Sequence, residues 1–204
     1  MEAMNPTPAP KGDFALDLEK LYCIECGTPT PAFRKRFSIW VNNLGLHCVA
    51  VYRFARYARK VYLRNRAVGM PLMLLQALLI YFVRYHYHTD IFAADIGPGF
   101  YIGHVGSIYV GRCVIGSNLS LTHNVTIGFN NSEGLEGLPT VGSSVWIGTG
   151  SVVYGSISIG SGVTVNCGSI LSKSIPDRCL VGGNPARVVQ TNHENSKLFA
   201  GFAV

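Results

Sequence analysis

The chain has 204 residues, of which 48% are hydrophobic and only 14% charged. That is ample for a buried core and excludes a solvated, disordered chain. The formal net charge is +6, and 23 glycines set among so few charges favour many tight turns.

Residues 1–12 form a Pro-rich polar leader, expected to be disordered and without the apolar run of a secretory signal. The six cysteines, Cys23, Cys26, Cys48, Cys113, Cys167 and Cys179, are scattered. A reduced, cytoplasmic protein is therefore expected. Cys23 and Cys26 have the spacing of half a zinc site, but no second Cys or His pair with ligand spacing follows. No metal is expected.

Residues 13–88 read as helical. Val51, Phe54, Ala58 and Val61 recur at three- and four-residue spacing beside Arg53, Arg56, Lys60 and Arg64. Nine of the 17 Lys and Arg lie between Arg34 and Arg66, and no acid occurs between Glu25 and Asp90. Met70 to Val83 is apolar except for Gln76, and its 14 residues fall short of the ~20 that span a bilayer. A buried or interfacial helix is expected. Two readings of residues 34–87 stay open: a solvated basic face beside an ordinary packing helix, or a platform for peripheral contact with anionic lipid at the inner membrane face. Nucleic acid is disfavoured as a partner, because the apolar run adjoins the basic cluster.

Residues 89–190 change period. Val141, Ile147, Val153, Ile159, Val165 and Leu171 recur every six residues. The same register appears as Ile96, Ile102, Ile108 and then Ile115, Leu121, Ile127, with one irregular step near Val110. A period of six predicts a parallel β-helix in which each hexad makes a short strand and a turn. Glycines follow the apolar residue at positions such as Gly97, Gly116, Gly142, Gly148 and Gly160, and are expected to supply backbone angles that other residues resist. Residues 129–140 (FNNSEGLEGLPT) interrupt the register and are expected to form an extruded loop. Residues 191–204 are left as a C-terminal tail.

Four segments together, IGPGFYIGH (96–104), SLTHNVTIG (120–128), VWIGTG (145–150) and GGNPARVV (182–189), resemble the serine acetyltransferase-like hexapeptide-repeat family. The sugar and polysaccharide O-acetyltransferase branch looks closest. The resemblance covers about half the chain. It implies a mainly β fold, a left-handed parallel β-helix behind an α-helical N-terminal region. It further implies a homotrimer that binds acetyl-CoA in the groove between neighbouring prisms, with no metal.

Acetyl transfer from a thioester needs a base for the acceptor proton and a donor for the oxyanion. The resemblance places the catalytic histidine at His104. His123 stands 19 residues later, close to the about 18 residues of one coil, so the two rings are expected on one prism edge. In the family an Asp-Ile pair orients the base. Asp90 stands 14 residues before His104, one short of the family's spacing, and Asp95 stands nine before; Asp90 is preferred. Trp146 could donate its N–H or stack on an acceptor sugar. For acetyl-CoA, the resemblance implies backbone contacts to the pantetheine arm at Gly148, Thr149 and Cys167. Lys173, and Arg187 in the segment holding Pro185, would meet the phosphates.

Two departures bear on the acceptor. Serine acetyltransferases proper carry Asp directly before the catalytic histidine, where this chain has Gly103, and a second histidine in the extruded loop, which here has none. The expected function is thus an acetyl-CoA-dependent O-acetyltransferase acting by direct transfer on a saccharide or lipid-linked polysaccharide precursor, or on another small-molecule acceptor. The alternatives are a serine O-acetyltransferase and a non-catalytic β-helix scaffold.

Overall fold

The computed structural model describes residues 11–129 and 136–202. Most of the expected leader, and residues 130–135 of the expected loop, lie outside them. Among the described residues four helices come first: α1 (Asp13–Cys26), α2 (Phe33–Asn42), α3 (Leu44–Arg64) and α4 (Arg66–Tyr87). Asn43 caps α3 by accepting from the Leu46 amide at 2.8 Å, and Asn65 caps α4 through the Ala67 and Val68 amides. Helix α4 runs 22 residues, longer than the 14-residue apolar run suggests, because the polar cap and the Arg84 to Tyr87 segment extend the same helix.

The rest is a triangular prism. One face holds β1 (Thr89–Asp90), β4 (Ile108–Val110), β7 (Thr126–Gly128), β10 (Val152–Tyr154) and β13 (Ile170–Leu171). A second holds β2 (Asp95–Ile96), β5 (Val114–Ile115), β8 (Thr140–Val141) and β11 (Ser158–Ile159). The third holds β3 (Tyr101–Ile102), β6 (Ser120–Leu121), β9 (Trp146–Ile147), β12 (Thr164–Val165), β14 (Leu180–Gly183) and β15 (Ala186–Gln190). All pairings are parallel except β14 with β15, which closes the prism as a hairpin. This is the parallel β-helix that the hexad period predicts, left-handed and behind an α-helical N-terminal region as the resemblance implies.

Every aliphatic residue of the hexad register, from Ile96 to Leu171, is buried. The glycines behind them have a different role from the expected one. None of Gly97, Gly116, Gly142, Gly148 or Gly160 takes a left-handed φ; they are needed because the next coil lies against them. A Cβ on Gly142 would come 2.7 Å from the Ser161 amide nitrogen, and one on Gly148 2.7 Å from that of Cys167. Left-handed angles fall at the corners instead, as at Ser107, Asn124, Gly150 and Gly168.

Helices α1 and α3 are bolted to the first coil by buried charge. Arg53 donates to Asp17 through Nε at 2.7 Å and Nη2 at 3.0 Å, and to the Ile96 and Gly97 carbonyls at 2.8 and 2.6 Å. Asp17 also accepts from the Phe100 amide at 2.8 Å. Burial raises the Asp17 carboxyl above its ordinary value, opposed by the Arg53 hydrogen bonds and charge. Lys20, wholly buried, donates to the Gly99 and Leu119 carbonyls at 2.9 Å each, and burial holds it well below the ordinary lysine value. The tail folds back: Asn195 donates to the Ser144 carbonyl at 2.9 Å, and Phe199 is buried under the Lys20 ammonium.

Candidate active site

The corner between the third and first faces gathers five of the residues singled out from sequence. His104 follows β3, His123 follows β6, Thr149 follows β9 and Cys167 follows β12. They occupy successive coils, which stack at about 4.8 Å. Backbone bonds run up this corner: the Asn124 amide to the Gly106 carbonyl at 2.8 Å, Gly150 to His123 at 3.3 Å, and Gly168 to Thr149 at 2.8 Å. The Thr149 hydroxyl donates to that of Thr122 at 3.0 Å. One edge therefore carries both the two histidines and the small residues Gly148, Thr149 and Cys167.

The imidazole rings of His104 and His123 meet edge to face, with centroids 6.0 Å apart and an interplanar angle of 68°. His104 is exposed and His123 half-buried. His104 opens onto a cleft of about 410 Å³ whose other wall is the α2–α3 junction, Asn42 to Gly45, with Glu25 from the end of α1. Gly45 makes that wall close: a Cβ there would lie 2.0 Å from the Ile102 carbonyl oxygen. Two imidazoles, an open cleft and a run of small residues thus share one edge, the combination of groups that a catalytic site can use.

The carboxylates expected to orient His104 are engaged elsewhere within the chain. Asp90 accepts from Arg84 at 3.0 Å, and Asp95 pairs with Arg56 at 2.6 Å. Neither bonds the His104 ring among the described residues, because helices α3 and α4 bring arginines onto the strands that carry them. Trp146 stacks edge-on against Phe199 at 6.2 Å and packs against the apolar cluster of Leu21, Tyr22 and Tyr101. Its described contacts are packing contacts. Lys173 follows β13 at the opposite end of the first face's strand, away from the histidine corner, while Pro185 and Arg187 sit on the terminal hairpin beyond the last coil. Among the described residues no cluster of three or more His, Cys, Asp or Glu is placed to hold a metal.

No family model matches the chain. Individual relatives do. A serine acetyltransferase of Bacillus pumilus is 33% identical over 165 residues, covering 79% of this chain and 71% of the relative. A crystal structure of the Brucella abortus serine acetyltransferase in complex with coenzyme A superposes with a TM-score of 0.70 at 25% identity, covering 88% of this chain and 67% of that one. The Neisseria gonorrhoeae serine acetyltransferase in complex with serine gives 0.67 at 27% identity, covering 87% and 67%.

The chain belongs to the serine acetyltransferase family. It is an acyltransferase with acetyl-CoA as co-substrate. A non-catalytic scaffold is thereby set aside. These relatives are serine acetyltransferases, so the sugar branch that the motifs suggested gains no support from them.

One residue of the cleft escaped the sequence reading. Glu25 stands beside Tyr101, whose hydroxyl is pushed up to about 12 by burial and by the Glu25 charge. Nothing in the local sequence marks Glu25 as part of the site, since it lies 79 residues before His104. At Gly103 a Cβ would meet the Tyr101 ring at 3.4 Å, ordinary contact. A Cβ is therefore tolerated at this position.

Proposed function

We propose that this chain transfers the acetyl group of acetyl-CoA directly to an acceptor hydroxyl, with His104 as general base. The observation that carries this is the pairing of His104 and His123 at 6.0 Å on the corner that also presents Gly148, Thr149 and Cys167. His104 takes the hydroxyl proton as the oxygen attacks the thioester carbonyl. His123, edge-on beside it, is positioned to donate to the oxyanion of the tetrahedral intermediate. Collapse expels the CoA thiolate, which takes the proton back from His104, leaving CoA thiol and the acetyl ester.

In this reading the pantetheine arm runs along the corner past Thr149 and Cys167, and Arg187, beside Pro185, meets the phosphates at the hairpin end. Lys173 reaches the same ligand only from another face. A homotrimer would supply the second wall of the groove.

Free serine is the acceptor that the relatives' names supply, and it is the first reading. A saccharide or lipid-linked saccharide hydroxyl is the second. Gly103 in place of aspartate and the lack of histidine in residues 129–140 favour it.

The test is release of CoA thiol from acetyl-CoA against serine, simple sugars and a polysaccharide or lipid-linked fraction. Turnover with serine alone sustains the first reading and removes the second. Turnover confined to saccharide reverses them, and thiol release with no acceptor in the panel sinks both.

A further inference from the structure

A helix packed on the outside of a soluble protein turns its apolar stripe inward and its polar side to water. Helix α4 does the reverse of half that rule. Its inner stripe is apolar and packed, with Val83 buried and Gly69 so close to α3 that a Cβ would lie 2.2 Å from the Tyr62 Cα. Its outer stripe, at helical spacing, is Leu74, Leu78, Tyr81 and Tyr85, exposed at 64, 68, 68 and 64%. Such a face asks for a cover.

The surrounding charge says which kind. Ion pairs take Arg53, Arg56 and Arg84. Among the described residues none takes Arg59, Lys60 or Arg64, all exposed near the end of α3, or Arg66 at the start of α4. No acid occurs from Cys26 to Thr89. Two copies meeting through this region would bring an excess of cations together, since the nearby acids Asp90 and Asp95 are already paired with Arg84 and Arg56. An anionic surface neutralises them all.

We propose that α4 and the end of α3 form a peripheral docking face for an anionic lipid bilayer. The outer leucines enter the acyl boundary, Tyr81 and Tyr85 sit at the headgroup level, and Arg64 and Arg66 at the α3–α4 turn meet lipid phosphates, with Arg59 and Lys60 adding positive charge from the groove between α3 and α4. The helix is long and apolar enough to cross a membrane. It lies on one instead, because α3 covers its inner stripe and the Arg84–Asp90 pair ties its end to β1. Docking would hold the enzyme beside an interface, with the His104 cleft opening at the α2–α3 junction.

The test is co-sedimentation of the full chain with vesicles of phosphatidylcholine alone and of phosphatidylcholine with roughly one-quarter phosphatidylglycerol. Expected is binding to the anionic vesicles at least about tenfold stronger than to neutral ones, and lost at ~0.5 M salt. Leu78→Glu with Tyr81→Glu, both at exposed positions, should abolish it with the thermal unfolding transition unchanged. Equal binding to both vesicles, no binding to either, or unchanged binding by the double variant would overturn the proposal. So would a concentration-dependent oligomer that the double variant dissolves without any vesicle binding, which would give the face to a second copy. Thiol release measured on the same samples keeps failure of docking separate from failure of the transferase reading.

Discussion

The prism and the helical half differ in the charge they bury and the apolar surface they expose. In the prism every hexad aliphatic points inward and the corners carry the polar and small residues. In the helical half an aspartate, a lysine and an arginine are buried, while leucines and tyrosines of α4 face outward. The prism supplies most of the apolar core, joined by Cys48, Val49, Tyr52 and Val83 of the helices, and its corners are free to carry chemistry. The helices add buried polar groups that attach them to the prism, and leave the outer apolar stripe of α4 for something else.

Substitutions at matched places test that difference. The largest effect belongs to the prism edge. His104→Ala should lower kcat by about two to four orders of magnitude with the unfolding midpoint unmoved, read by initial-rate thiol release beside urea denaturation. Loss of stability together with activity would instead make the ring a structural element.

Next comes the buried charge of the helical half. Asp17→Asn leaves Arg53 uncompensated in the interior and should cost about 3–5 kcal/mol in urea unfolding. A cost under ~1 kcal/mol would mean that the Ile96 and Gly97 carbonyls satisfy Arg53 without it.

A smaller effect reads the cofactor track. Cys167 is exposed, whereas burial pushes the Cys48 thiol up to about 12 and that of Cys113 to about 11. Alkylation should therefore mark Cys167 well before those two. CoA at about ten times its Kd should slow that labelling about tenfold. Labelling indifferent to CoA would move the pantetheine arm off this corner. Smallest of all, Leu78→Ser on the outer stripe of α4 should change stability by no more than ~0.5 kcal/mol, where the same change at buried Leu121 would cost several.

The two halves also differed in how much of them could be read from sequence. The prism was legible because its rule is local: a residue six places on faces the same interior, and a coil later it stacks on its own kind. That periodicity also brought His104 and His123 to one edge. The reason for the glycines was not legible, since close approach of the next coil and a left-handed turn leave the same letter in the chain. In α4 both sides of the helix are apolar, so no periodicity tells the packed stripe from the exposed one. Asp17 with Arg53, and Glu25 with the His104 cleft, meet across long stretches of chain that no spacing rule connects. Asp90, preferred for its spacing from His104, accepts from Arg84 in the structure, a pairing that the spacing could not show.

A stack of parallel coils has a beginning, and at that beginning the first coil's main-chain groups have no preceding coil to bond. Here side chains take the place of one. Arg53 covers the Ile96 and Gly97 carbonyls, the Tyr52 hydroxyl accepts from the Ile96 amide and donates to the Ala94 carbonyl, and Lys20 occupies the Gly99 carbonyl. An uncovered sheet edge is a template for another chain. The buried polar groups of α1 and α3 therefore act as a terminator, blocking the growth of prism upon prism into a fibre, much as a capping repeat does in a solenoid.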